Sequence, residues 1–171
     1  MPDDVFFAIR AVGRVEDVGR VLSVVEELNG KFDAFLQVAG EGAVFDEAHA
    51  QSAWRHAKRA NEAGDSVSDS LGGEFLRYLT ARRQVAKAIE AGGISSGDEA
   101  VVVVGGGPQA GAAVWGLLDR LGWSRDPAGL EQSEAVLERL GVGAAERGAT
   151  PRQRWSDLVL ERVAMLDAQR R

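Results

Sequence analysis

Apolar positions along the chain switch between a two-residue and a helical period, and the switches mark the elements. Val5-Phe6-Phe7-Ala8-Ile9-Arg10 is rich in β-formers and predicts a strand. Val15 to Leu28 predicts a helix, with Val18, Val21, Leu22, Val25 and Leu28 on one stripe and Asn29–Gly30 closing it. Phe32 to Ala39 predicts a second strand, and Gly40–Gly42 a turn. Asp46 is placed to cap a helix reaching about Ala60, before a polar loop over Asn61–Ser68. Two short helices follow between Ser70 and Ser96. Asp69–Ser70 caps the first, Phe75, Leu76 and Leu79 face a core, Val85 and Ile89 pair on the second, and Gly92–Gly93 ends it. Glu99 to Val104 reads as a strand, broken by Gly105–Gly107. Pro108 suits the first position of a helix to Leu121, where its missing N–H costs nothing. Gly122–Gly129 reads as loop, Leu130–Leu140 as helix and Gly141–Thr150 as a glycine-rich loop. Thr150 and Pro151 then open a closing helix to the C-terminus. Strands and helices mix without strict alternation. The expected fold is therefore α+β, one domain over 1–171, a small mostly antiparallel sheet with helices packed on it.

Composition narrows the chemistry. The 171 residues are enough for a sizeable core, and the absence of cysteine removes disulfides and thiolate metal sites. No apolar run approaches the length of a bilayer span, and the acids in MPDDVFFAIR are the wrong charge for a secretory leader, so cytoplasm is expected. A net charge of -6 argues against nonspecific binding of long duplexes but leaves room for a local basic site.

Such a site is visible in the two short central helices. Arg77, Arg82, Arg83 and Lys87 occur with no acid between Phe75 and Ile89. Arg55, Lys58 and Arg59 on the preceding helix join them if the helices lie side by side. With Tyr78 to stack on a base and Gln84 between the cations, the set suits a single-stranded nucleotide. A solvated face with local ion pairs, such as Arg59 with Glu62, is the competing reading. On the closing helix Trp155, Leu158, Val159, Arg162, Val163 and Leu166 recur at helical spacing, which fits either core packing or a partner-binding face.

Other constellations carry less. Gly105-x-Gly107-x-x-Ala110 after a strand spells a dinucleotide fingerprint, but no further parallel strands follow, so a plain strand-to-helix turn is favoured. His49 and His56 share a helix face, yet about 10 Å of rise separates them and one metal does not bridge it. Acid pairs such as Glu26–Glu27 and Asp3–Asp4 read as solvated surface. No catalytic set emerges.

Ser70…Glu74-Phe75-Leu76 followed by Thr80-Ala81-Arg82-Arg83-Gln84-Val85 resembles the PRPK-binding (TPRKB-type) subunit of the KEOPS complex, in its archaeal form. That family shows N-S-x-x-x-E-[IL]-L, then S-G-x-R-Q-I and an A-I pair. Ser70, Glu74, Leu76, Arg83, Gln84, Val85, Ala88 and Ile89 fit. Asp69 stands for the usual Asn and Ala81 for the usual Gly, so the turn between the helices either avoids positive φ or absorbs strain. The match extends more weakly to Leu160–Leu166. The resemblance implies a non-catalytic subunit without cofactor, ATP and metal belonging to other subunits. It would bind the complex's atypical kinase, through Trp155, Val159, Arg162, Val163 and Leu166. It would hold the single-stranded 3′ CCA end of tRNA, through Arg55, Lys58, Arg59, Tyr78, Arg82, Arg83, Gln84 and Lys87. The complex makes threonylcarbamoyl-adenosine beside the anticodon. The alternative is a nucleotide-binding enzyme centred on Gly105–Ala110.

Overall fold

The structure, a computed structural model, describes residues 5–169. Asp3, Asp4 and the last two residues of the expected closing helix lie outside them. The fold is α+β, and every strand pairing is antiparallel, as the sequence predicts. The chain forms two compact units. Of the described residues, one comprises those up to Glu41 with Gly93–Leu130, the other Gly42–Gly92 with those from Glu131 onward.

The first unit is a sheet with two helices. Its strands are β1 (Phe6–Val12), β2 (Phe35–Gly40), β3 (Ala100–Gly106) and β4 (Ser124–Arg125), in the order β2-β3-β1-β4. The continuous apolar run of β3 is explained by its place between two neighbours, where every residue is buried. Helices α1 (Val18–Lys31) and α5 (Ala110–Leu121) pack against each other and the sheet, burying Val21, Val24, Val25 and Leu28 beside Ala113, Val114 and Leu117. Each valine or leucine side chain removed from water contributes roughly 1.5–3 kcal/mol.

Several boundaries in this unit differ from expectation: α1 begins at Val18 and not Val15, β2 begins at Phe35 and not Phe32, and β3 runs on through Gly105 and Gly106. α1 continues past Asn29 to Lys31, and the Asn29 amide instead bonds both the N–H (2.8 Å) and the C=O (3.0 Å) of Leu36. Gln37 Oε1 takes the Val38 N–H at 2.9 Å. The edge strand β2 is thus blocked by the Asn29 amide of α1 and by its own Gln37, which disfavours pairing with a foreign strand. α5 begins at Ala110, so Pro108 belongs to the turn. β4 lies in the stretch read as loop, because the Trp123 ring sits where a side chain on Gly13 would be, and Asp126 N–H bonds Arg10 C=O at 2.8 Å. Two residues of strand are too short to show a period.

The second unit is helical: α2 (Glu47–Glu62), α3 (Leu71–Thr80), α4 (Val85–Gly92), α6 (Glu134–Arg139), α7 (Ala144–Gly148) and α8 (Trp155–Ala168). α3 packs against α2, α4 and α8, and every residue from Gly73 to Thr80 is buried. A helix buried on all sides is a core element. α7 replaces part of the expected glycine-rich loop. The closing helix starts at Trp155 after a 3-10 turn over Arg152–Arg154, because the Thr150 hydroxyl bonds back to Glu146 C=O at 2.8 Å and does not cap forward.

Asp46 caps α2 as predicted, accepting from His49 N–H at 2.8 Å. His49 itself is fully buried. Its Nδ1 accepts from Phe45 N–H at 3.0 Å, so Nε2 carries the proton and donates to Leu79 C=O at 2.9 Å. Burial pushes the imidazole from 6.5 down to about 4, against weaker opposing effects of the Leu79 carbonyl and Asp46. Between those values the unfolded chain binds a proton that the native state excludes, so stability falls as pH drops from 6.5 towards 4. The loss attributable to this group reaches roughly 3 kcal/mol. Urea unfolding of His49→Gln is expected to show lower stability at pH 7 and a shallower decline across this window. An unchanged decline would contradict the assignment.

Candidate nucleic-acid interface

The interface grows from two buried charges on α3. Glu74 is 0% and Arg77 3% exposed, and the Arg77 guanidinium donates to Glu74 Oε1. Glu74 Oε2 accepts the N–H groups of Val67 and Ser68, both at 2.9 Å, and so clamps the incoming loop. Arg77, expected among the exposed cations, donates through Nε to Arg83 C=O at 2.6 Å and so holds the outgoing turn. Ser70 caps the helix as predicted, accepting from Gly73 N–H at 3.0 Å.

α3 stops at Thr80, and Ala81 adopts the left-handed conformation with φ 53° and ψ 37°. It is the one non-glycine residue with positive φ among those described. Strain is therefore the outcome of the Gly-to-Ala departure. Because the helix does not continue through Ala81, Arg82 does not lie one turn beyond Tyr78.

The expected RNA-binding residues separate into groups. Arg82, Arg83, Gln84 and Lys87 are exposed around the turn and the first half of α4. Arg82 and Lys87 line one open groove with Glu90, Ala91 and Arg139. The Arg83 guanidinium turns to Gln169 C=O beyond α8. Arg55 and Arg59 are exposed on α2, while Lys58 lies over the Trp54 ring, 5.4 Å from its centre. Arg59 lines a separate depression with His56, Asp65, Val67 and Asp167. The seven cations thus do not meet in one site.

Tyr78 is a correction. It is fully buried, its hydroxyl donates to Asp167 Oδ1, and its ring stacks on His56 at 5.2 Å. No face is left for a base. His56 Nδ1 lies 2.7 Å from Asp167 Oδ2 and 3.1 Å from Arg59 Nη2. The two contacts exclude each other, since a nitrogen that donates to the carboxylate does not accept from the guanidinium, and the shorter, oppositely polarised contact prevails.

The α8 stripe is a second correction. Trp155, Val159, Val163 and Leu166 are buried, Trp155 and Val159 within an apolar cluster with Phe45, Val136, Leu137, Leu140 and Val142. Trp155 Nε1 donates to Arg147 and Thr150 carbonyls, and Arg162 pairs with Glu146 on α7. Trp155 and Val159 are core because they close the cluster over α6, and Val163 and Leu166 are buried as well. Arg139 was missed altogether. It lies 57 residues from Arg82, and no local pattern joins the two.

Gly105 and Gly107 have packing explanations. A Cβ at Gly105 would stand 2.5 Å from Val114 Cγ2, so the glycine admits α5 onto the strand, and Gly107 has φ 102°. β3 is flanked by antiparallel neighbours, which is not the parallel βαβ setting of a dinucleotide site. Among the described residues no group of three or more His, Asp or Glu converges as a metal set would, and no helix is long and apolar enough to cross a membrane. No protein-family model and no curated protein matches the chain.

The left-handed conformation costs alanine about 1 kcal/mol or more. Ala81→Gly is therefore expected to leave stability unchanged or raise it by up to about 1 kcal/mol, whereas the same change at Ala57 inside α2 costs about 1 kcal/mol or more. Thermal melts of the two variants compare them directly, and a larger loss at Ala81 than at Ala57 contradicts the strain.

Proposed function

We propose that the chain is an archaeal-type, non-catalytic KEOPS subunit that binds the complex's atypical kinase and recruits tRNA by its single-stranded 3′ CCA end. The modification served is threonylcarbamoyl-adenosine next to the anticodon. The observation that carries the reading is the turn after α3. The left-handed residue falls at the position where the resembled motif has glycine, and exposed Arg83 and Gln84 follow it at the motif's spacing. The capped start at Ser70 and the loop clamp at Glu74 give two further motif positions a structural task. The kinase contact rests on the resemblance alone.

The mechanism is tethering. Holding the acceptor tail raises the effective concentration of the distant anticodon arm at the modifying subunit, with no bond made or broken here. No cofactor is needed for that, and the setting is the cytoplasm. Exposed cations supply the grip, since phosphate neutralisation dominates such affinity and weakens with salt.

Filter binding at fixed salt tests the reading. Arg83→Glu is expected to weaken tRNA binding by about tenfold with an unshifted melt, and removal of the terminal CCA from wild-type ligand to weaken it comparably. Equal affinity for intact and CCA-less tRNA would overturn the proposal.

A further inference from the structure

The groove beside the α3–α4 turn has a cation from outside the motif-bearing segment. Arg82 and Lys87 come from the α3–α4 segment that carries the motif, although neither is one of its matched positions, and Arg139 comes from the end of α6. Among the described residues that line the groove, three cations stand against one acid, Glu90. Lys87 and Glu90 are 3.9 Å apart and both mostly exposed, an arrangement worth little, so Lys87 is available to another anion.

Arg139 is held ready. Its Nη1 donates to Gly42 C=O at 2.8 Å, and Arg82 Nη2 makes a long 3.4 Å contact to Arg139 C=O. A Cβ on Gly42 would stand 2.6 Å from Arg139 Nη1, so the glycine is what lets the guanidinium lie over the loop. Each guanidinium spends one donor of five on the protein, and most remain for a ligand. Two guanidinium forks and an ammonium suit a phosphate, which accepts several charge-assisted bonds at once.

The floor beneath decides what else enters. Ala43, Leu79, Val136 and Leu140 line a cavity of about 20 Å³ under Arg82 and Arg139. That admits about one water molecule and no nucleobase. Among the described residues no aromatic side chain lines the cavity or the groove, so no aromatic ring is there to stack on a base.

We propose that Arg139 joins Arg82 and Lys87 in gripping a backbone phosphate of single-stranded RNA, in a subsite that reads charge and no base. This rests on the tRNA-tethering reading. Glu90 opposes the phosphate from the rim.

The test is fluorescence anisotropy of the full chain with a short single-stranded RNA ending in CCA and with an oligouridine of equal length, over a salt series. Arg139→Gln is expected to weaken binding about threefold or more and to lower the salt slope by about 0.7, the share of one phosphate on a single strand. The fold-loss is the same on both RNAs. Arg139→Lys keeps most of the slope, and Glu90→Gln tightens binding. If Arg139→Gln and Arg139→Lys both bind as wild type while Arg83→Glu binds weakly, the phosphate subsite is overturned and the tethering reading stands. A loss seen on the CCA ligand only overturns the claim that no base is read. If the wild-type chain binds neither RNA, both ideas fall.

Discussion

A carboxylate and a guanidinium with almost no exposure to water hold both ends of the central helix in register. Glu74 and Arg77 neutralise each other inside α3, and neither is satisfied by that bond alone. The second carboxylate oxygen reaches back to Val67 and Ser68, and the Arg77 Nε reaches forward to Arg83. A buried pair of this kind contributes little net stability against a well-packed apolar substitute, because desolvation offsets attraction. Its value is positional. Loop and turn are both tied to one rigid element, and each tie is a part-buried, charge-assisted bond.

From that anchor the surface follows. The Arg83 carbonyl is drawn in, so its side chain and that of Arg82 are carried outward on either side of the turn. One guanidinium meets the end of α8, and the other the groove beside Arg139. Ala81 is forced left-handed between them. A residue that pays backbone strain next to exposed cations is what a display turn requires when both flanking helices are fixed. The α8 side chains expected at an interface serve the opposite purpose: they close the core that keeps the turn still.

The sequence was most legible where period and punctuation agree. The β3 run, the Asp46 and Ser70 caps, the end of α4 at Gly92 and most of the α1 stripe are where the pattern puts them, although Leu22 of that stripe is exposed and Val24 is buried instead. It was least legible where tertiary contacts decide. Thr150 turns back to Glu146, β4 depends on Trp123 filling the space at Gly13, and Asn29 serves β2 from within a helix. Among charged residues, one-dimensional spacing could not separate Arg77, which is buried and paired, from Arg82, which is displayed. Nor could it show Tyr78 spent on Asp167, or bring Arg139 to Arg82.

The most direct test of this account is native-state amide hydrogen exchange on Glu74→Gln, which preserves shape but leaves the Arg77 charge uncompensated. Loss of one partner of a buried pair costs about 3–5 kcal/mol. The account predicts that protection falls together at Val67, Ser68 and the 81–84 turn, beyond the change in the first unit's β3. Faster exchange at the loop with an unaltered turn, or no change at either, would contradict the single anchor.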